Sequence, residues 1–339
     1  MDKTFAMDKT FFTHRHDHKQ DHNKESIMSR NTHLPRRTVL AALSLALLAP
    51  LFGHAASSID LSPEQKGQPK GRPVPEAIKL LPKDVRFVKD KTFVVAIAGG
   101  ILPLGGFASD SKTIIGADPD ISRLVADGLG RKLELVNVAW ADWPLGLQSG
   151  KYDAVISNVT VTEARKEKFD FSTYRKDLLG FYTKSGSKLK INEPKDTAGL
   201  KVIVGAGTNQ EQILLEWNKK NEAAGLKPLQ ALYFDDEAVA RVALQSGRAD
   251  AWLGPNAIYA LEAARTGKVR LAGTFSGGWP LTADIAVTTR KDSGLAPAIT
   301  KIINTQIANG NYARVLSRWG LSAEAVSESR TNPPGLPKS

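Results

Sequence analysis

Leu147-Gln148-Ser149-Gly150-Lys151-Tyr152-Asp153-Ala154 (147–154) recurs 97 residues later as Leu244-Gln245-Ser246-Gly247-Arg248-Ala249-Asp250-Ala251 (244–251), with six of eight positions identical. In both copies the glycine falls where a helix needs a left-handed residue just past its end. The apolar runs that follow, Ala154-Val155-Ile156 and Ala251-Trp252-Leu253, read as buried strands. Each half of the chain therefore carries one helix–glycine–strand unit. An internal repeat and a generic α/β connection used twice both produce this pattern, and both imply two similar lobes.

Outward from the first copy, Thr92 to Ala98 is an apolar, β-branched run that stops at Gly99-Gly100, as a buried strand does at a loop. Asp118-Pro119-Asp120 supplies a capping acid, a proline in the first turn and a second acid at the positive end of a helix dipole. Ile121, Leu124, Val125 and Leu129 form the apolar stripe of that helix, Gly130 closes it, and Leu133 to Val138 is the next strand. This βαβ alternation predicts a parallel or mixed sheet covered by helices.

The strand ends carry the chemistry, because polar groups at the carboxyl ends of strands in open α/β sheets face a ligand crevice. The first repeated strand runs into Ser157-Asn158-Val159-Thr160-Val161-Thr162 and a helix with Glu163, Arg165 and Lys166; the second runs into Gly254-Pro255-Asn256. Thr160 to Thr162 at a helix start, with Arg165 one turn on, could take an anion; a capped helix with a solvated arginine is the plainer alternative. Leu200 to Val204 is a further strand, followed by Gly205-Ala206-Gly207-Thr208-Asn209-Gln210 and a helix through Ile213, Leu214 and Trp217. That glycine-rich turn would expose backbone N–H groups to a second anion contact. Neither the Walker nor the Rossmann glycine spacing is present, which disfavours nucleotides. Two anion-seeking helix ends facing one cleft suit a clamp on a small carboxylate.

Composition narrows the chemistry. The 339 residues are 42% hydrophobic and 24% charged, enough for a real core and for two lobes. With no cysteine, disulfides, thiolate metal sites, cysteine nucleophiles and a lipid-anchored N-terminal cysteine are excluded. All six histidines (His14, His16, His18, His22, His33, His54) precede residue 55, so neither a Ser-His-Asp triad nor an imidazole metal site exists downstream, and no metal or cofactor is expected.

Arg36-Arg37 before the apolar run Val39 to Phe52, with small residues at Gly53 and Ala55, has the layout of a secretory signal peptide. Residues 1–55 are assigned to it, with Met28 as an alternative start; the twin arginines leave the general and the twin-arginine export routes both open. Without the eight Lys/Arg and five Asp/Glu of that segment, 38 basic face 30 acidic residues, a net +8. The basic residues are scattered without an aromatic platform, so nucleic acid is not an expected partner.

At these residues the chain resembles the family 3 extracellular solute-binding proteins, the polar-amino-acid receptors of ABC importers. The matching stretches are Gly116 to Ile121, Leu147 to Ala154, Ser157 to Ser172, Gly207 to Glu211, Gly247 to Ala251 and Asn309 to Leu321. The resemblance implies an α/β, two-lobed periplasmic-binding-protein clamshell of type II, each lobe a mixed sheet flanked by helices, with two hinge crossings near Tyr182 to Ser185 and Trp279 to Thr282. The expected domains are a linker and short N-terminal helix (56–90), lobe 1 (91–182 and 281–325), lobe 2 (183–280) and a flexible tail (326–339).

Residue by residue, the resemblance makes Arg165 the arginine that grips an α-carboxylate, helped by the backbone of Thr160, with Thr208 and Asn209 closing from lobe 2. Trp140 matches the aromatic that stacks on the ligand side chain, a core tryptophan being the alternative. Asn158 falls where the family holds the ligand amine. The acids expected to pair that amine are replaced by Ala98 and Pro255. Asn256, Asp142 or Asp110 substitutes for them, or the ligand has no free α-amine. The implied protein is a periplasmic, non-enzymatic, monomeric importer subunit whose partners are the ligand, a permease and its ATPase. An exported enzyme of the cyclohexadienyl dehydratase kind and a sensory module are the rival readings.

Overall fold

The computed structural model describes residues 59–98 and 100–338. The signal-peptide assignment lies outside the described residues. No helix among the described residues is long and apolar enough to cross a membrane.

In chain order, lobe 1 contains α1 (Pro75–Ile78), β1 (Thr92–Ala98), β2 (Gly106–Phe107), β3 (Ile114–Ile115), α2 (Ala117–Gly128), β4 (Lys132–Val138), α3 (Trp143–Gln148), β5 (Ala154–Val155), α4 (Glu163–Lys166) and β6 (Phe169–Lys176). Lobe 2 follows with β7 (Leu178–Lys184), β8 (Lys201–Ile203), α5 (Asn209–Ala223), β9 (Gln230–Leu232), α6 (Glu237–Gln245), β10 (Ala251–Pro255), α7 (Asn256–Thr266) and β11 (Val269–Ser276). The chain returns to lobe 1 through β12 (Asp284–Arg290), α8 (Leu295–Ala308) and α9 (Asn311–Arg318).

The two five-stranded sheets have orders β4-β1-β5-β12-β6 and β11-β7-β10-β8-β9. In the first, β4, β1 and β5 are parallel and β12 is antiparallel to both its neighbours; in the second, β9, β8 and β10 are parallel and β7 is antiparallel to both of its own. Read from the parallel edge, β5 and β10 occupy the same central place, and these are the strands that follow the repeated octapeptides. Gly150 and Gly247 both have φ +77°, a conformation that costs other residues a Cβ clash.

The conserved identity within the repeat has a second cause. Asp153 accepts from Val94 N at 2.8 Å and Val88 N at 2.8 Å, while its own N–H donates to Val94 O. Asp250 does the same to β8: its carboxylate accepts from Lys201 N at 2.8 Å and its N–H donates to Lys201 O. In each lobe one aspartate thus ties the start of the neighbouring parallel strand to the helix–strand turn. Each carboxylate satisfies a backbone N–H near the start of an interior strand.

β1 is buried on both sides, with Phe93, Val95 and Ile97 in one cluster and Val94 and Ala96 in another, as period-2 side-chain alternation requires. A separate cluster around Trp217, Phe181 and Leu253 packs one face of the lobe 2 sheet, while Tyr182, Ile203, Leu244 and Trp252 of lobe 2 belong to the same cluster as Phe93. Helix α2 begins after Gly116 rather than at Asp118: Gly116 has φ +140°, and a Cβ there would sit 2.3 Å from Leu104 O. Asp118 is therefore the second helical residue and does not cap the helix.

The first crossing between lobes is at Asp177, between β6 and β7, several residues before the expected Tyr182 to Ser185, which lie in and just after β7. Periodicity could not place it, since β6 and β7 are both buried strands separated by one residue. The second crossing, residues 277–283, includes Trp279 to Thr282. The expected linker is packed: Gln68 donates to Asp120 and Arg318 donates to Gln65. The expected flexible tail is also bound to lobe 1. Leu336 N donates to Val161 O, Glu163 N donates to Leu336 O, and Asn332 side-chain bonds hold Phe171 N and Asp170. Polar composition suggested freedom, but these segments use their polar groups to satisfy lobe 1 backbone and acids.

Candidate functional site

The ends of β1 and β5, the start of α2 and the start of α5 converge on a cavity of about 120 Å³ between the lobes, which Trp140, Asn158, Thr208 and Asn209 line together with Asp118 and Pro255. Four of the seven expected site residues therefore meet in one place. Arg165 and Thr160 stand beside it. Arg165 Nη1 donates to Thr160 O at 2.9 Å, and Nη2 donates to Gly207 O of lobe 2 at 3.4 Å. Thr160 Oγ1 donates to Asn209 Oδ1 at 3.0 Å, a second bond across the lobes. Arg165 also faces, with Thr208 and Asn209, a wider opening of about 770 Å³ that Trp279 and Leu336 border.

The seventh residue, Asn256, is elsewhere. It heads α7, and its Oδ1 accepts from Tyr182 Oη at 2.9 Å inside lobe 2. The amide is spent on a tyrosine that the sequence could not place opposite it. Asp110 is exposed and bonds the backbone of its own turn at Lys112 and Thr113; Asp142 is exposed outside the cavity. None of the three groups expected to replace the missing amine acids lines the cavity. A larger opening, about 1070 Å³ between residues 100–107 and helices α6 and α7, holds none of the expected site residues.

Both expected anion ends already carry internal bonds. At α4 the N–H of Glu163 already donates to Leu336 O and that of Arg165 to Thr162 Oγ1, so the tail and the cap occupy the helix start. At α5 Thr208 is the N-cap and accepts from Glu211 N, while Gly207 N donates to the Glu211 carboxylate at 2.6 Å. The guanidinium of Arg165 is left as the main positive group on the cavity rim. It sits 5.8 Å from the ring centroids of both Trp140 and Trp143. Burial draws its pKa down to about 10, with the Asp177 carboxylate acting the other way, so it remains charged at neutral pH.

Beneath the cavity lies a buried ionic network that the sequence reading missed. Arg175 from β6, 1% exposed, donates to Glu324 and to Asn158 Oδ1. Asp118, also 1% exposed, accepts from Tyr174 Oη at 2.7 Å. Asp177 Oδ2 accepts from Asn209 Nδ2 at 3.2 Å, and Asp177 Oδ1 has no partner among the described residues. The available signal was Tyr174-Arg175-Lys176-Asp177, a run of charge at the junction of two buried strands, where a buried arginine needs acids beside it.

Burial pushes Asp118 up from 3.8 to about 6 against the pull of Arg175 and Tyr174, and pushes Glu324 up from 4.5 to about 7 against Arg175. Both folded-state values lie above the unfolded ones, so the folded chain holds extra protons between them. The associated stability is fully present below about pH 4 and is lost as pH rises through 6 to 7. The melting temperature of the unliganded protein is expected to fall between pH 5 and pH 8. A flat or rising calorimetric profile across that window would show that these acids are better solvated than their burial implies.

Two mixed sheets joined by two crossings, with a cavity of mixed polar and apolar lining at the strand ends between them, define a type II periplasmic binding protein, an α/β clamshell. The chain belongs to the bacterial extracellular solute-binding proteins, family 3, whose profile matches residues 93–322. It is 26% identical over 313 residues to the arginine-binding protein ArgT of Corynebacterium glutamicum, covering 88% of this chain and 97% of that one. It is 32% identical over 216 residues to the ABC transporter glutamine-binding protein GlnH of Bacillus subtilis, covering 62% and 74%. Among solved structures, an ancestral arginine-binding protein bound to glutamine superposes with a TM-score of 0.59 at 30% identity, covering 69% of this chain and 99% of that one.

Proposed function

We propose that the protein is the solute-capturing subunit of an ABC importer in the periplasm, which closes its lobes on a small α-carboxylate, a polar amino acid or a derivative. One observation carries this: a charged guanidinium on the lobe 1 rim that already reaches a lobe 2 carbonyl across the cleft. The 3.4 Å bond to Gly207 is the weaker of its two contacts and is the one a ligand carboxylate exchanges for a bidentate pair. Thr160 holds the guanidinium, Thr208 and Asn209 close from α5, Trp140 offers its face and Asn158 an amide. The cavity is well below the roughly 300–1,000 Å³ of ordinary ligand pockets, so ligand enters an opened cleft and the lobes close over it. The family relatives named above, called arginine- and glutamine-binding, support amino-acid capture, and a permease with its ATPase is the downstream partner.

A ligand at 100 times its Kd adds about 2.7 kcal/mol of stability. A thermal-shift screen with amino acids and small carboxylates is expected to find such a ligand. Arg165→Ala should abolish the shift while leaving the unliganded melting temperature within a few degrees of wild type. A shift that survives in Arg165→Ala places the pocket elsewhere. An exported enzyme remains the second reading because Asp118, held near 6, is able to pass a proton within the cavity. Recovery of the bound ligand chemically unchanged, checked by mass spectrometry, separates the two.

A further inference from the structure

We infer that Asp118 is the counter-charge for an ammonium group on the ligand, so that the site takes a zwitterion and discriminates against the same carboxylate without its amine. This rests on the capture reading above. Three acids, Asp118, Asp177 and Glu324, surround the one guanidinium of Arg175, and the ion pair that Arg175 makes is with Glu324. Asp118 forms no ion pair among the described residues. The hydrogen bonds to its side chain come from neutral donors, Tyr174 Oη at 2.7 Å and the backbone of Asn158. Yet its residue lines the interlobe cavity together with Asn209 and Trp140.

Arg175 is the one cation whose field reaches Asp118, and it is shared with Asp177 and Glu324; three buried acids around one guanidinium are costly unless a further cation arrives. The two strand-end positions where the amine acids are absent, Ala98 and Pro255, line the same cavity and offer no charge. Asp118 is thus the anion placed to receive an ammonium there. Tyr174, Arg175, Asp177 and Glu324 are the ionisable groups that face its surroundings, and none supplies a free positive charge. With Arg165 beside the cavity, on the adjoining opening that shares Thr208 and Asn209 with it, taking the carboxylate, the cleft presents one positive and one negative group to a ligand carrying both.

The test pairs L-arginine, L-glutamine, L-leucine and L-glutamate with their amine-free counterparts, guanidinovalerate, glutaramate, isocaproate and glutarate, on wild type, Asp118→Asn and Arg165→Ala by calorimetry. The best amino acid is expected to lose about a hundredfold in affinity in Asp118→Asn, while its amine-free counterpart binds wild type and variant alike. Because the ammonium favours the charged carboxyl, wild type should also release protons on binding the amino acid near pH 6. That is read from the dependence of binding heat on buffer ionisation enthalpy and needs no variant to fold. Equal wild-type affinity for both members of a pair, unchanged affinity in Asp118→Asn, or zero proton release overturns the inference and leaves capture of a carboxylate standing. A wild-type protein that binds none of the eight probes, or an Arg165→Ala variant that binds as wild type does, overturns the capture reading itself.

Discussion

Replacing Arg175 with alanine should destabilise the protein by about 3–5 kcal/mol, the cost of leaving buried charge unpaired. Arg175 donates to Glu324 and Asn158, and its field also reaches Asp118 and Asp177. Its removal strands three acids in the interior. They answer partly by taking up protons, so the loss is smallest near pH 5 and grows toward pH 8. Urea denaturation at the two ends of that range measures both the size and the slope. Glu324→Gln is the informative control: it removes a carboxylate that burial already opposes and keeps an acceptor for the guanidinium, so it should cost no more than about 1 kcal/mol. Equal losses in the two variants would mean that packing, and not charge, is what Arg175 contributes.

Trp217→Ala should cost a similar amount, about 3–5 kcal/mol, by a different route. Trp217 is fully buried, with Phe181 stacked at 5.6 Å and Phe275 and Trp279 edge-on at 4.8 and 5.1 Å. Truncation empties the centre of the lobe 2 cluster, and the rigid rings around it cannot collapse into the space. Trp217→Phe should recover most of the loss, because the indole N–H has no hydrogen-bond partner among the described residues and nothing polar is broken. Since that cluster is confined to lobe 2, hydrogen exchange in Trp217→Ala should quicken in β8 and β10 well before β1 and β5. Uniform acceleration over both sheets would show instead that the lobes unfold as one unit.

Much of the fold was legible because it is written locally. Gly150 and Gly247 mark two helix ends, apolar runs mark the strands behind them, and the repeat forces two like sheets. The cleft was legible for the same reason: Asn158, Thr160 and Thr208 follow directly on strands, and strand ends in such sheets converge. What the sequence hid was long-range pairing. Asn256 also follows a strand, yet Tyr182, 74 residues away, takes its amide. Asp118 looked like a helix cap because Asp-Pro-Asp is a common opening, while its real neighbour Tyr174 is 56 residues distant. The tail looked free because it is polar, although Glu163, Asp170 and Phe171 were waiting for its donors and acceptors. In each case the deciding partner lies on another element, and one sequence carries no record of that.

Lobe 2 leaves and re-enters lobe 1 through neighbours. Leu178 pairs with Ser276 where it departs and returns, and Lys176 pairs with Asp284 on the other side of the crossings. Residues 178–276 therefore form a cassette whose two ends stand one strand spacing apart, roughly 5 Å. Recombination could exchange this whole jaw between related genes, giving a new grip on the distal part of a solute while Arg165 and Asp118 keep their places in the receiving half.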